Sequence, residues 1–127
     1  MAQYLLMDLG TRWDKVAREI LHDCNWVILV TESDHLALTM ASKAIKMLDT
    51  FDIRGDKLKV VMVNRVRSQT SYSKVEAEKI LGHSIHVVIP PAPELFFQAE
   101  REGIPVVMLQ PNSIIAEQIR AVAQLIQ

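Results

Sequence analysis

Short apolar runs alternate with amphipathic segments along the whole chain. The apolar runs at residues 4–8, 26–31, 58–64, 85–89 and 104–109 are too short for helices, and all but the first are rich in β-branched residues, so each predicts a buried strand. The segments between them carry apolar residues at helical spacing. Such alternation predicts an α/β fold, with a mostly parallel sheet of about five strands and helices on both faces, as in a three-layer Rossmann-like domain.

Several residues in the polar segments mark where helices should begin and end. Ser33 or Asp34 can cap a helix that follows the second strand, and Gly55 predicts the end of that helix. Ser73 and Glu76 have the spacing of a capping box, in which each side chain bonds to the other residue's backbone amide. These signals support the strand–helix alternation independently of hydrophobicity.

Length and composition restrict the class of protein. The 127 residues, half of them hydrophobic, predict a single domain over residues 1–127. Fourteen basic against fifteen acidic residues give a net charge of -1, so binding to nucleic acid is not expected. The single cysteine, Cys24, and the absence of a signal-like start predict a cytoplasmic location. No apolar run approaches the roughly 20 residues of a membrane span, so direct membrane insertion is not expected either.

Polar residues stand where two of the predicted strands end, at the edge where parallel α/β sheets bind ligands. Asp8 could hold Mg²⁺ or orient a water, although an acidic residue there is also common in turns. Asn64 offers both a donor and an acceptor, as recognition of adenine requires, but it could equally form a turn. The basic loop that begins at Arg65 could contact phosphates or simply be solvated. The sequence contains no glycine-rich phosphate loop.

Taken together, several segments resemble the second half of the ParA/MinD-type P-loop ATPases. They are YLLMDLG, WVILVTESDHLAL, VVMVNR and IHVVIPPAPELFFQAEREGIPVVMLQPNS, in that order along nearly the whole chain. Among these deviant Walker ATPases, the resemblance is to the MinD-like proteins of pilus assembly, the CpaE group. Each motif is weak alone, but their common order makes the resemblance specific.

The resemblance implies a function and a set of site residues. Asp8 matches the aspartate that helps to organise Mg²⁺ and the attacking water, and Asn64 matches the residue that contacts adenine, with Arg65 beside it. Pro90 and Pro91 match a segment that lines the base through its backbone. ATP and Mg²⁺ are the implied cofactors. Members of this family position DNA, division proteins or pilus machinery through nucleotide-dependent dimers.

The phosphate-binding loop of that family does not occur in these 127 residues. The resemblance therefore implies a carboxyl-terminal part that does not hydrolyse ATP alone, and it leaves open whether nucleotide still binds. In the family, the strand before that loop lies between the strands that match residues 4–8 and 26–31. Without it, either these two segments pair directly or an open slot invites another chain. We therefore expect a homodimer or dependence on a missing amino-terminal half, with a protein as cargo.

Two alternatives use the same fold. A receiver-like signalling domain would need an acidic pair after its first strand, Asp after its third and Lys after its fifth. The chain has Asp8 alone, Asn64 and residues 109–111, reading Leu-Gln-Pro, at those places. A structural protein-interaction module without nucleotide is the other alternative.

Overall fold

A parallel sheet lies at the centre of the molecule. The computed structural model describes residues 3–65 and 71–127. Within them, strands β1 (Val27–Glu32), β2 (Leu58–Val63) and β3 (Val87–Ile89) lie in the order β1–β2–β3. Both pairings are parallel. The α/β class with a parallel sheet is confirmed, but the described residues form three strands, and the prediction of about five is wrong.

Helices connect and follow the strands. In the described part of the chain they are α1 (Lys15–Asp23), α2 (His35–Thr50), α3 (Lys74–Leu81), α4 (Pro93–Glu102), α5 (Val106–Leu109) and α6 (Ile114–Gln124). A short 3-10 turn at Gly55–Lys57 leads into β2.

Both faces of the sheet carry helices, as predicted. On one face, Val60 and Met62 of β2 pack with α2 and α3 in a cluster that contains the fully buried Leu38. On the other face, Ile89 of β3 packs against the cluster of Ala99, Val106 and Ile115, which belong to α4, α5 and α6. A third cluster closes the amino ends of the strands and consists of Leu21, Val27, Leu48, Ile53 and Leu58.

The first predicted strand, residues 4–8, does not form. The side chains of Leu5 and Leu6 are 82% and 78% exposed, and those of Tyr4 and Met7 are also exposed. A strand is stable only when another strand satisfies its backbone groups. No described segment pairs with residues 4–8, so the direct pairing with residues 26–31 considered above is not seen.

The last predicted strand, residues 104–109, is instead a single turn of helix, α5. The carbonyl of Pro105 accepts hydrogen bonds from the backbone N–H groups of Met108 and Leu109, at 2.8 and 3.0 Å. Val106 is buried in the cluster around α4 and α6. The apolar residues of this run are therefore partly buried by a helical turn, without joining the sheet.

The predicted helix starts are confirmed where the structure describes them. The carboxylate of Asp34 accepts from the backbone N–H of Ala37 at 2.9 Å and caps α2. Ser73 and Glu76 form the full capping box at the start of α3. The hydrogen bonds from Ser73 hold the pKa of Glu76 below its ordinary value.

The end of α2 lies earlier than the glycine signal predicts. The helix ends at Thr50, and Asp52, with φ of 59°, is the left-handed residue that follows it. Gly55 also has a positive φ, of 59°, but it lies at the start of the 3-10 turn. The next residue, Ile53, donates its backbone N–H to the carbonyl of Leu48 at 3.0 Å, and both side chains are buried together. This arrangement is a Schellman motif. Its left-handed position is more often occupied by glycine than by aspartate.

His86 links β2 to the segment that enters β3. Its backbone N–H donates to the carbonyl of Val60 at 2.8 Å, and its Nδ1 lies 3.0 Å from the Val60 nitrogen. Because the Val60 N–H donates to Nδ1, this ring nitrogen must be unprotonated. Partial burial, and then the positive charge of Lys59, lower the pKa of His86 below its ordinary value.

Acidification should therefore weaken the fold through His86. The unfolded chain binds a proton at this histidine near pH 6.5, whereas the folded chain does so only at lower pH. Stability is then present above about pH 6.5 and is lost as the pH falls below it. Urea unfolding at neutral and mildly acidic pH measures this loss. We expect it to be smaller in His86→Gln and unchanged in the control His22→Gln, which replaces an exposed histidine. An equal loss in all three proteins would contradict the assignment.

Candidate functional site

The carboxyl ends of the three strands meet at one edge of the sheet. In the strand register, Glu32 at the end of β1 lies opposite Val63 at the end of β2, and Val63 lies opposite Ile89 at the end of β3. The residues that follow, Asn64 and Pro90 among them, are therefore neighbours. We call this region the carboxyl edge, and define it as residues 32–35, 64–65, 72 and 89–91.

Asn64 is held at the carboxyl edge by its backbone. Its N–H donates to the carbonyl of Ile89 at 2.9 Å and extends the β2–β3 ladder by one residue. Its side-chain Oδ1 is fully buried and has no hydrogen-bond partner in the described structure. A buried acceptor without a partner costs about 1 to 3 kcal/mol. Such an atom is an exception in folded proteins, and a donor outside the described residues would satisfy it.

Arg65 crosses from β2 to the end of β1. Its Nε lies 3.1 Å from Oε1 of Glu32. The two side chains are 74% and 46% exposed, so solvent screens the pair, and its contribution to stability is at most about 1 kcal/mol. The guanidinium thus already has an anionic partner, which leaves it a weaker candidate for phosphate binding than the sequence predicts.

The chain returns to the carboxyl edge at Tyr72. Its backbone N–H donates to the carbonyl of the buried Ser33 at 3.0 Å. Its hydroxyl lies 3.4 Å from Nδ1 of His35, the first residue of α2. The basic loop considered above includes residues 66–70, which lie outside the described residues.

Pro90 and Pro91 leave β3 at the same edge. Both are half-buried and connect β3 to α4. Proline has no backbone N–H, so this segment presents carbonyl acceptors only. The structure therefore brings Asn64, Arg65, Pro90 and Pro91 together, as the sequence predicts for a site at the strand ends.

Asp8 does not join this group. It is exposed, and its Oδ1 accepts from the backbone N–H of Gly10 at 2.9 Å in a local turn. The next residue, Leu9, packs against the cluster at the amino ends of β1 and β2, which is the opposite end of the sheet. The turn considered above as the alternative for Asp8 is what forms, because the strand that would carry this residue to the carboxyl edge is not formed.

The carboxyl edge supplies no acidic cluster for Mg²⁺. Across residues 3–65 and 71–127, no group of three or more His, Cys, Asp or Glu side chains is placed to hold a metal ion.

Sequence reasoning missed Glu32, Ser33, His35 and Tyr72 as parts of the site. The contact of Ser33 with Tyr72 joins residues 39 positions apart, and no local pattern predicts such a return of the chain. The available signal was the polar segment Thr-Glu-Ser-Asp at residues 31–34, which covers the end of β1 and the cap of α2.

These features define a class of protein. A parallel α/β sheet with polar groups gathered beyond the carboxyl ends of its strands is the usual architecture of nucleotide-binding and related ligand-binding domains. No protein-family model matches the sequence, and no curated protein matches it significantly.

Solved structures identify the fold more closely. A ParA family ATPase from Chlorobium tepidum aligns with a TM-score of 0.71 and 19% identity over 90% of this chain and 46% of its own. The MinD cell division protein of Aquifex aeolicus aligns with a TM-score of 0.71 and 20% identity, over 89% and 48%. The cell division ATPase MinD of Pyrococcus furiosus gives 0.67 and 25%, over 83% and 43%.

The chain has the fold of part of a ParA/MinD-type ATPase, and the resemblance seen in the sequence is confirmed at the level of fold. It spans less than half the length of each of these proteins. No helix in the described part of the chain is long and apolar enough to cross a membrane.

Proposed function

We propose that this chain is the base-binding part of a ParA/MinD-like ATPase and that its carboxyl edge recognises adenine. The observation that carries the proposal is the buried, unpartnered Oδ1 of Asn64. A ligand that donates a hydrogen bond to this atom would remove an energetic penalty that the folded chain otherwise bears.

Adenine can supply the hydrogen-bond donor that Asn64 Oδ1 lacks in the described structure. Its exocyclic amino group is a donor, and an asparagine amide can pair with the amino group and the adjacent ring nitrogen together. Pro90 and Pro91 add backbone carbonyl acceptors at the carboxyl edge. Guanine presents an acceptor oxygen where adenine has the amino group, so we expect the edge to prefer adenine.

This chain offers few groups that could bind the phosphates and the Mg²⁺ of ATP. Arg65 is already paired with Glu32, Asp8 lies at the other end of the sheet, and the sequence has no phosphate loop. We therefore propose that the chain binds the base weakly by itself and does not hydrolyse ATP alone. Hydrolysis would require residues that another polypeptide segment supplies.

The wider role is also a proposal. The similar structures are named as a ParA family ATPase and as MinD cell division proteins. By analogy, the chain would act in the cytoplasm in positioning a protein cargo, in division, partitioning or pilus assembly, through nucleotide-dependent dimers. An interaction module without nucleotide is the second candidate, and the exposed side chains of Phe96 and Phe97 on α4 favour it.

Calorimetric titration with ATP and GTP tests the adenine proposal. We expect ATP to bind the purified chain with a dissociation constant near 1 mM, which corresponds to about -4 kcal/mol, and GTP to bind more weakly. Asn64→Ala should weaken ATP binding about tenfold, or about 1.4 kcal/mol. The control is Asn25→Ala, since Asn25 is exposed just before β1 at the opposite end of the sheet.

Two results would contradict the adenine proposal. One is binding of ATP and GTP with equal affinity. The other is ATP binding that Asn64→Ala and Asn25→Ala leave equally strong, which would place the nucleotide away from the carboxyl edge.

A further inference from the structure

Helix α4 packs through one side. Ala99 is buried and Leu95 is half-buried, and both pack in the cluster that α4 shares with Ile89, α5 and α6. These two residues are four positions apart and therefore lie on the same side of the helix. The backbone carbonyl of Ala99 also accepts from the N–H of Ile104 at 3.1 Å, which fixes the chain after the helix. The inner side of α4 is thus already occupied within the described chain.

Two adjacent phenylalanines lie on the outer sides of α4. Phe97 follows Leu95 by two residues, which places it about 200° around the helix, and its side chain is 61% exposed. Phe96 lies between these two directions and is 41% exposed. Beside Phe97 runs an open groove of about 340 Å³, which is also lined by Gln98, Arg101 and Glu102. Large apolar side chains that are exposed together are typical of interaction surfaces.

The charges around Phe97 are mainly negative. Glu94 and Glu100 lie three residues before and after it, so they flank the ring on either side, and both are exposed. Within Pro93–Glu102, three glutamates and one arginine give a net charge of -2. The guanidinium carbon of that arginine, Arg101, lies 6.0 Å from the centre of the Phe97 ring. The outer side of α4 is therefore an aromatic surface with a negative rim, and its ring already has a cation beside it.

We propose that the outer side of α4 binds a basic amphipathic segment of another protein. The apolar residues of such a segment would pack on Phe96 and Phe97, and its lysine or arginine side chains would pair with Glu94 and Glu100. Complementary charge favours this partner over a second copy of the chain, because two α4 helices would bring like charges together. The same charge disfavours an anionic membrane surface. This inference stands apart from adenine recognition, since Asn64 takes no part in it.

Titration of the purified chain, without nucleotide, with a labelled amphipathic peptide of leucine and lysine tests the surface by fluorescence anisotropy. We expect a dissociation constant below about 100 μM. The matching peptide of leucine and glutamate should bind at least about tenfold more weakly, because its charges repel those of α4. Phe97→Ser should weaken binding of the lysine peptide by about tenfold or more, since it removes the ring at the centre of the surface. The matched control is Val75→Ser on α3, where Val75 is also 61% exposed, and it should bind as the wild type does.

A second pair of variants tests the negative rim. Glu94→Gln combined with Glu100→Gln should weaken binding of the lysine peptide about fivefold and make it less sensitive to salt. The control is Glu19→Gln combined with Asp23→Asn, which removes the same charge from exposed positions on α1. This control should leave binding of the lysine peptide within about twofold of the wild type. Equal effects of the two double variants would overturn the assignment of the rim to α4.

Far-UV circular dichroism shows whether each variant folds. If Phe97→Ser does not fold, nuclear magnetic resonance of the wild type decides the question, because the lysine peptide should shift the backbone signals of α4 and leave those of α3 unchanged. Equal binding of the two peptides, binding that Phe97→Ser leaves intact, or no binding of the lysine peptide would overturn the proposal. A dimer in light scattering that Phe97→Ser dissociates would overturn it as well and indicate that a second copy covers α4.

Discussion

Leu38→Ala is expected to lower the free energy of unfolding by about 3 kcal/mol. Leu38 lies in α2, is completely buried, and packs in the cluster that joins α2 and α3 to Val60 and Met62 of β2. Removing its side chain leaves a cavity in a small core that cannot fully collapse. Urea denaturation followed by circular dichroism measures the change.

The control for Leu38 lies two residues away. Leu36 is in the same helix and 71% exposed, so Leu36→Ala should change stability by less than about 0.5 kcal/mol. Equal effects of the two variants would mean that the α2 face towards β2 is not the one described. A small effect of both would mean that this cluster is not the core of the fold.

Asn64→Leu is expected to raise the free energy of unfolding by about 2 kcal/mol, because it removes a buried acceptor that has no partner. The backbone hydrogen bond to Ile89 does not depend on the side chain and should persist. The same substitution should abolish the preference for ATP. A residue that costs stability and supports binding is the usual sign of a functional site.

Chemical denaturation of the wild type, Asn64→Leu and the control Asn25→Leu measures this effect. The control should be nearly neutral, since Asn25 is exposed and contributes no buried amide. A loss of stability in Asn64→Leu would show that its amide is satisfied in the folded chain. The argument for a donor from a ligand would then fail.

Local signals explain why most of the fold could be predicted from the sequence. The strands β1 and β2 are short apolar runs of β-branched residues, and the capping box of Ser73 and Glu76 identifies the start of α3 without tertiary information. Gly103 at the end of α4 is a local signal of the same kind, because it takes the left-handed conformation that glycine adopts at little cost.

The two failures share a physical cause. Residues 4–8 and 104–109 are short apolar runs of strand length, but such a pattern expresses only the tendency of a segment to fit a sheet. Whether a strand forms depends on a neighbour that satisfies its backbone, and the sequence pattern contains no information on that neighbour. Residues 4–8 stay exposed for lack of one, whereas the backbone groups of residues 105–110 bond to one another in the helical turn of α5.

The residues of the candidate site also differ in whether the sequence predicts their position. Asn64, Arg65, Pro90 and Pro91 could be placed at one edge because each follows a strand, and parallel strands end on the same side. The position of Asp8 could not be predicted in this way, because it depended on a strand that does not form. The unpartnered state of the Asn64 amide also depends on the packing around it, which no sequence pattern reports.

The most direct test of adenine recognition follows the side-chain amide of Asn64 by nuclear magnetic resonance during titration with adenosine. Adenosine carries the base without phosphates, so it tests the carboxyl edge alone. We expect the Asn64 amide signals to shift and saturate together with the backbone signal of Ile89, while Asn25 stays unchanged and guanosine has a smaller effect. Adenosine that leaves Asn64 unshifted, or shifts Asn64 and Asn25 alike, would contradict adenine binding at this edge.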